Sequence, residues 1–138
     1  MEVFAIFKRF AFATAAFALL VALPAITLAT GLDGLLIFAH DGTFLGAATC
    51  SDLGNRYSRH GNKYGSESIW NKYSRYGSEY SSLSPYNPYT STPPVLVDGA
   101  GDAVGHLTAN RFVANSFSPV ELDTYLMETC GKDESYRD

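Results

Sequence analysis

Eight aromatic side chains stand at repeating positions between residues 55 and 89, and seven of them are candidates to stack on sugar rings or on a peptide chain. Tyrosine gives a binding loop a large contact area at a low cost in conformational entropy, and such loops are rich in Tyr, Ser, Gly and Asn. The candidate stacking residues are Tyr57, Tyr64, Trp70, Tyr73, Tyr76, Tyr80 and Tyr86. The candidate polar contacts are Arg56, Arg59, Lys72 and Arg75.

These residues belong to a 16-residue repeat that fills residues 55–89. The copies Asn55–Trp70 and Asn71–Tyr86 are identical at half of their positions, and Asn87–Tyr89 begins a third copy. A fixed period usually means that one structural unit is used more than once. Because Gly and Ser disfavour a long helix and strict alternation is absent, we expect consecutive turns and short extended pieces, with at most one turn of helix near Ser66–Tyr73. Two copies are too few for a free-standing solenoid, so the repeat must pack against its flanks.

Two interpretations of the repeat aromatics remain open. The rings could wrap a small core, because tyrosine combines a large apolar body with a polar tip. They could instead form an exposed recognition surface. The two interpretations are compatible, and the solvent exposure of each ring discriminates between them.

The repeat also resembles a known group of proteins. The phrase Asn71-Lys-Tyr-Ser-Arg-Tyr-Gly-Ser-Glu-Tyr-Ser-Ser82, followed by Pro85-Tyr86-Asn87-Pro88-Tyr89, is similar to the tandem units of uncharacterised bacterial exported proteins. Those units are of the Asn-Pro-Tyr-Gly and Tyr-Gly-Ser types. The resemblance covers residues 55–89 and is loose in the flanks. It implies export and a shared small fold, and it implies no catalytic residue.

Residues 1–29 have the order of a secretory signal peptide. Lys8 and Arg9 precede the apolar run Phe10–Leu23, and Pro24 ends that run. A basic region, an apolar region and small residues near the cleavage site are typical of export signals. We therefore expect an extracytoplasmic protein, either periplasmic or secreted.

The cleavage site has alternatives. Cleavage after Ala29 would leave a body that starts at Thr30, and cleavage after Ala25 is also compatible with the pattern. The segment could also remain as an anchor, because Phe10–Ala29 matches the roughly 20 residues that span a bilayer. Contact with a membrane is expected only through this segment, if it is uncleaved.

The charge of the remaining body is uneven. Residues 30–138 carry 8 Lys/Arg and 13 Asp/Glu, a formal charge of −5, whereas residues 55–89 carry +3. A mildly basic aromatic segment on an acidic body is consistent with an anionic or polar polymer as partner. The excess of positive charge is too small to indicate nucleic acid, and export makes that partner unsuitable.

Two β-hairpins are predicted on either side of the repeat. Apolar runs surround Asp41-Gly42 in the first, and Val95–Val97 and Val104–Leu107 surround Asp98-Gly99 in the second, which has the longer loop. Asp-Gly suits a two-residue hairpin turn in which both central residues need a positive φ. The predicted fold is mainly β with extensive coil: a small antiparallel sheet crossed by the Tyr-rich loops.

A short helix is predicted near the C-terminus. Ser118-Pro119-Val120-Glu121 is a capping box with Pro at the first helical position, and the helix should run to about Met127. The charged tail, residues 132–138, is expected to fray. Residues 30–131 therefore make one small β-rich domain that contains the repeat.

Cys50 and Cys130 are the two cysteines of the chain. An even pair in an exported protein usually forms a disulfide, and we predict that bond here. Two free thiols or an intermolecular bond are the alternatives.

No cofactor or metal is predicted. His40, His60 and His106 are far apart in sequence and lack the ligand spacing of a zinc site. Asp98–Asp102 slightly resembles a calcium loop, because alternating carboxylates and glycines can wrap a hard cation, but the remaining acidic ligands are missing. A plain hairpin loop is the preferred interpretation.

A small extracytoplasmic hydrolase is the alternative function. Glu67 and Glu79 flank the aromatic residues and could act as a pair of carboxylates on a glycosidic bond. They occupy different positions in the repeat, however, and no Gly-x-Ser-x-Gly nucleophile motif is present. The preferred prediction is an exported non-catalytic protein, either structural or binding a glycan or another cell-envelope polymer.

Overall fold

The computed structural model describes residues 31–131. The predicted signal peptide, residues 1–29, and the predicted frayed tail, residues 132–138, lie outside this range. The elements are β1 (Leu36–Phe38), β2 (Phe44–Ala47), β3 (Val95–Val97), β4 (Ala103–Leu107), β5 (Ser116–Phe117) and α1 (Pro119–Cys130). Within the described residues, no helix combines the length and the apolar character needed to cross a bilayer.

The strands form one five-stranded sheet in the order β2-β1-β3-β4-β5. The two predicted hairpins, β1–β2 and β3–β4, are confirmed, and they join through β1 and β3, where Ile37 lies opposite Leu96. The two hairpins form the predicted antiparallel sheet, and a strand that was not predicted, β5, extends it by running parallel to β4 with His106 opposite Ser116. The sheet is therefore mixed, with a two-residue strand at one edge.

The hairpin turns differ from the expected two-residue Asp-Gly turns. Each is a three-residue loop that ends in a glycine with positive φ, Gly42 at 90° and Gly101 at 88°. Asp41 and Gly99 do not have positive φ, so Gly101 rather than Gly99 corresponds to Gly42. The second loop is consequently no longer than the first. A three-residue loop that closes with a left-handed residue is a common hairpin connection because it follows the strand twist.

One hydrophobic core joins the sheet, the helix and the repeat. Its fully buried aliphatic side chains are Ile37, Leu45, Leu53, Ile69, Leu96, Leu107, Leu122 and Leu126. Burying one such side chain contributes about 1.5–3 kcal/mol relative to leaving it in water. Leu53, two residues before the repeat, and Ile69, in its first copy, belong to the same cluster as the strand residues, so the repeat packs against the sheet.

The predicted capping box begins α1. Ser118 accepts the amide of Glu121 (3.1 Å), and the Glu121 carboxylate accepts the amide of Ser118 (2.6 Å). The helix ends at Cys130 rather than near Met127, and Gly131 closes it in the left-handed conformation with φ 65°. A left-handed glycine satisfies the carbonyls of the last turn, which sets the end of the helix.

The predicted disulfide between Cys50 and Cys130 is confirmed, with a Cα–Cα distance of 5.5 Å. It connects the segment after β2 to the last residue of α1, across 80 residues of sequence. The repeat lies entirely between the two cysteines. A formed disulfide is compatible with an oxidising, extracytoplasmic location.

Candidate functional site

Residues 55–92 form a series of hydrogen-bonded turns, most of them three residues apart. The amide of Ser58 donates to the carbonyl of Asn55 (3.0 Å), and the same bond joins later triplets as far as Thr90 and Asn87. Ten of the triplets begin with Asn, Ser or Thr, whose side-chain oxygen accepts the amide two residues later, as Asn55 does from Tyr57 (2.9 Å). Short polar side chains satisfy local backbone donors in this way, which explains why the segment is rich in Asn and Ser.

Each 16-residue copy consists of five triplets and one extra glycine. Gly61 and Gly77 each stand between two triplets. A Cβ at Gly61 would lie 1.8 Å from the carbonyl oxygen of Asn55, and a Cβ at Gly77 would lie 2.1 Å from that of Asn71. No side chain fits at these distances, so the close approach of the chain to itself requires glycine at both positions.

Side chains also connect each turn to an earlier one. The hydroxyl of Ser74 donates to the carbonyl of Ser68 (3.1 Å), and the side-chain amide of Asn71 donates to the carbonyl of Gly65 (2.9 Å). Both bonds span six residues, as does the bond from Asn87 to the carbonyl of Ser81 (3.2 Å). Successive turns therefore lie beside one another and are joined by hydrogen bonds, although the segment forms no regular strand or helix.

Five tyrosines of the repeat point into solvent, and we call them the outward rings. They are Tyr57, Tyr64, Tyr73, Tyr80 and Tyr89, with 76–89% of each residue exposed. Four of them are predicted stacking residues. Tyr89 was missed, although it shares its position in the repeat with Tyr57 and Tyr73. The spacing between successive outward rings alternates between seven and nine residues, so each full copy supplies two.

The other predicted rings face the protein. Trp70 is 8% and Tyr76 7% exposed, and Tyr86 is partly buried against the same core. The indole N–H of Trp70 donates to the carbonyl of Leu53 (3.2 Å). The interpretations that the rings wrap the core and that they form an exposed surface therefore both describe part of the repeat.

Two equivalent inward positions contact the first hairpin. The Tyr76 hydroxyl donates to the carboxylate of Asp41 (2.9 Å) and lies 3.0 Å from the Thr43 hydroxyl. One repeat earlier, His60 stacks edge-on against Phe44, with ring centroids 5.0 Å apart. The amide of Thr43 donates to Asp41, and this bond is the main reason that the pKa of Asp41 lies below its ordinary value.

A basic side chain precedes three of the outward rings and lies over the ring that follows it. The cation-to-centroid distances are 5.1 Å for Arg56 and Tyr57, 5.4 Å for Lys63 and Tyr64, and 5.5 Å for Lys72 and Tyr73. Such contacts at exposed sites contribute about 0.5–1 kcal/mol each. Lys63 was not among the predicted polar contacts, although the pattern Asn, basic residue, Tyr could have identified it.

The remaining predicted basic residues have other roles. Arg59 forms an ion pair with Glu67 (2.7 Å). Arg75 is exposed, and its charge helps to lower the pKa of Asp41. Among the described residues, the cations that lie over outward rings are Arg56, Lys63 and Lys72, and not these two arginines.

An open groove of about 690 Å³ lies beside two neighbouring outward rings. Its lining residues are Ile69, Trp70, Lys72, Tyr73, Gly77, Ser78, Glu79, Tyr80 and Tyr86. The groove thus combines four aromatic rings with one cation and one carboxylate. A hydrogen bond from Tyr80 to Glu79, together with the charge of that carboxylate, raises the pKa of the Tyr80 hydroxyl.

The carboxylates and histidines do not assemble into a second kind of site. Glu79 is the one carboxylate among the groove residues, while Glu67 is held by Arg59. Within residues 31–131, no three His, Cys, Asp or Glu side chains are placed to hold a metal ion. In the loop that resembles a calcium site, the Asp98 carboxylate accepts two amides of its own hairpin loop (3.0 and 2.9 Å).

Comparison with known proteins gives no match, whether with protein-family models, with curated proteins or with solved structures.

Proposed function

We propose that this chain is an exported, non-catalytic protein that binds a polysaccharide of the cell envelope through the outward rings of its repeat. The observation that carries the proposal is that all five exposed ring positions of the repeat are tyrosine. The inward positions of the same repeat hold His60, Trp70, Tyr76 and Tyr86. Ring identity is therefore kept where the ring meets solvent.

Sugar rings suit such a surface because they present an apolar C–H face and a rim of hydroxyl groups. A tyrosine ring can stack on the apolar face, while its hydroxyl and the neighbouring Lys72 and Glu79 can bond the rim. The groove volume of about 690 Å³ is within the range typical of binding clefts, about 300–1,000 Å³. The groove beside Tyr73 and Tyr80 is the proposed central subsite.

Export is supported by three independent features. Residues 1–29 have the sequence pattern of a signal peptide. The repeat resembles those of bacterial exported proteins, and the Cys50–Cys130 disulfide is stable in an oxidising compartment. A polymer of the cell envelope is a partner that an exported binding protein can reach.

Co-sedimentation with insoluble polysaccharides tests the proposal. The folded body, with its disulfide formed, is incubated with peptidoglycan, cellulose, chitin and calcium-gelled polygalacturonate. We expect retention on at least one polymer, and loss of about tenfold in affinity when Tyr73 and Tyr80 are both changed to Ser, about 0.7 kcal/mol for each ring. The matched control is Val120→Ala, which removes an exposed apolar side chain from α1.

The proposal fails if the wild-type protein binds none of these polymers, or if the double variant binds as well as the wild type. The same incubations test the hydrolase alternative. Release of new reducing sugar ends from any polymer would support an enzyme and contradict a purely binding role.

A further inference from the structure

An asparagine side chain links successive outward rings of the repeat. Asn71 stands two residues before Tyr73, and its side-chain amide donates to the carbonyl of Gly65 (2.9 Å), the residue directly after Tyr64. Its side-chain oxygen accepts the amide of Tyr73 (3.0 Å). One side chain therefore fixes the backbone of one ring relative to the backbone of the ring before it.

The same link recurs one repeat later. Asn87 stands two residues before Tyr89 and donates to the carbonyl of Ser81 (3.2 Å), the residue directly after Tyr80. It also accepts the amide of Tyr89 (3.0 Å). The backbone of Tyr89 is thus held relative to that of Tyr80 by the same two bonds that hold Tyr73 relative to Tyr64.

A third instance involves a loop that is not part of the repeat. Asn110 donates to the carbonyl of Thr90 (2.9 Å), the residue directly after Tyr89, and accepts the amide of Phe112 (3.1 Å). The amide of Val113 closes the turn on the carbonyl of Asn110 (3.2 Å). Phe112 is 90% exposed, as the outward tyrosines are. Phe112 is therefore tied to Tyr89 by the same two kinds of bond that tie Tyr73 to Tyr64 and Tyr89 to Tyr80.

The loop has the local chemistry of a repeat unit and a second attachment to it. The loop sequence Asn110-Arg111-Phe112 has the same order, asparagine, basic residue and aromatic residue, as the three segments that end in Tyr57, Tyr64 and Tyr73. The amide of Ala109 donates to the carbonyl of Pro85 (2.7 Å) in the last full copy. Two hydrogen bonds to backbone carbonyls, one from the Asn110 side chain and one from the Ala109 amide, therefore hold the loop against the end of the repeat.

We infer that Phe112 and Arg111 form a sixth unit of the binding surface, and that the polymer it serves is an extended acidic polysaccharide. The inference rests on the function proposed above and specifies its ligand. A series of rings in fixed steps suits a chain of repeated sugars rather than one small molecule. Basic side chains directly precede four of the six rings, namely Arg56, Lys63, Lys72 and Arg111. Residues 55–89 carry a charge of +3. Both features complement a chain that carries carboxylates.

Isothermal titration with oligogalacturonides of two to eight units tests the inference. The dimer should need only the groove beside Tyr73 and Tyr80, whereas the octamer should also reach Phe112. We therefore expect Phe112→Ser to weaken octamer binding about fivefold, the effect of roughly 1 kcal/mol, and to leave dimer binding unchanged. Phe112→Tyr should bind the octamer as the wild type does.

Two further measurements distinguish the ways in which the inference could fail. Neutral cello-oligosaccharides of the same lengths should bind more weakly, and rising salt should weaken only the acidic series. If Phe112→Ser binds the octamer normally while the Tyr73/Tyr80 double variant does not, the sixth unit is wrong and the proposed function stands. If the neutral series binds equally well, the acidic ligand is wrong. If the wild type binds neither these oligomers nor the polymers above, both proposals fail.

Discussion

The outward and inward faces of the repeat differ in how strictly they keep one residue type. Both outward positions hold tyrosine in every copy, as Tyr57, Tyr73 and Tyr89 at one position and as Tyr64 and Tyr80 at the other. The inward positions change, from His60 to Tyr76 and from Trp70 to Tyr86. The type of ring varies where the ring packs against the protein and is constant where the ring meets solvent.

Packing accounts for the inward face, since a different ring finds different partners there. His60 lies against Phe44 and 3.1 Å from the Asp52 carboxylate, whereas Tyr76 bonds Asp41 and Thr43. The outward rings contribute less to stability, because their contacts are exposed ones such as the cation–ring pairs, worth about 0.5–1 kcal/mol each. The proposed contact with a polysaccharide would account for tyrosine at all of these positions.

Gly77→Ala, on the inward side of the turns, should give the largest loss of stability. The new Cβ would lie 2.1 Å from the carbonyl oxygen of Asn71 and 2.8 Å from that of Ile69, and backbone atoms cannot move away cheaply. We expect a loss of about 4 kcal/mol or more in the free energy of unfolding, measured by urea denaturation. Gly99→Ala is the matched control, because nothing lies within 4 Å of its Cβ position and its φ is not positive. Equal stability of the two variants would contradict the close approach of the turns.

Removing the disulfide should give the next largest effect. The bond closes a loop of about 80 residues that contains the whole repeat, and the chain-entropy model assigns roughly 4.5 kcal/mol to a loop of that length. We expect the Cys50→Ser/Cys130→Ser double variant to unfold at a correspondingly lower urea concentration. The wild type should shift by a similar amount when a reductant is added, whereas the double variant should not respond to it. An unchanged midpoint for the wild type under reduction would show that the bond does not constrain the repeat.

Paired truncations compare the two faces directly. Trp70→Ala removes a buried ring and its bond to Leu53, and we expect a loss of about 3–5 kcal/mol. Tyr73→Ala removes a ring that is almost fully exposed, and we expect a change of about 1 kcal/mol or less, the size of its contact with Lys72. Thermal unfolding of both variants provides the measurement. If Tyr73→Ala proved as destabilising as Trp70→Ala, the outward rings would be structural and the binding proposal would lose its basis.

Local signals in the sequence predicted much of the sheet body. The capping box at Ser118, the two apolar hairpins and the cysteine pair each depend on short patterns with a clear physical meaning. Strand β5 was missed because its two residues, Ser116 and Phe117, are too few to show a pattern, and parallel pairing has no local turn signal. The hairpin glycine was placed at Gly99 rather than Gly101 because Asp-Gly is the stronger short-range motif.

The repeat was predicted at one level and missed at another. The 16-residue period and the expectation of turns came from residue identity and from the content of Gly and Ser. The underlying triplet was hidden, because Gly61 and Gly77 shift its phase once in each copy. Which rings face solvent depends on how the turns stack on the first hairpin. That arrangement joins residues such as Tyr76 and Asp41, which lie 35 positions apart, and no local pattern encodes it.

Tyr76→Phe should produce a smaller loss on the inward face. The change removes the hydroxyl that bonds Asp41 (2.9 Å) and Thr43 (3.0 Å) and leaves the buried ring in place. A net loss of about 1 kcal/mol is typical of such hydrogen bonds. Tyr73→Phe is the control on the outward face, where no stability change is expected. Identical denaturation curves for the two variants would mean that the bond to the hairpin contributes nothing measurable.

The smallest effect concerns the charge of Asp41. Because amide and hydroxyl donors favour the ionised carboxylate, the pKa of Asp41 in the folded protein is lower than in the unfolded chain. Its ionisation therefore stabilises the fold above the unfolded pKa, about 4, and this contribution disappears as the pH falls through the lower folded value.

Asp41→Asn keeps an acceptor for the Thr43 amide but has no charge to titrate. The stability difference between wild type and Asp41→Asn, measured by urea denaturation from pH 6 to pH 2.5, should shrink below pH 4. In the Tyr76→Phe background the carboxylate has lost a donor from the inward face, so its folded pKa should rise towards the unfolded value, and the decrease should be smaller and should be complete at a higher pH. A difference that stayed constant with pH would show that the contact between repeat and hairpin does not depend on this charge.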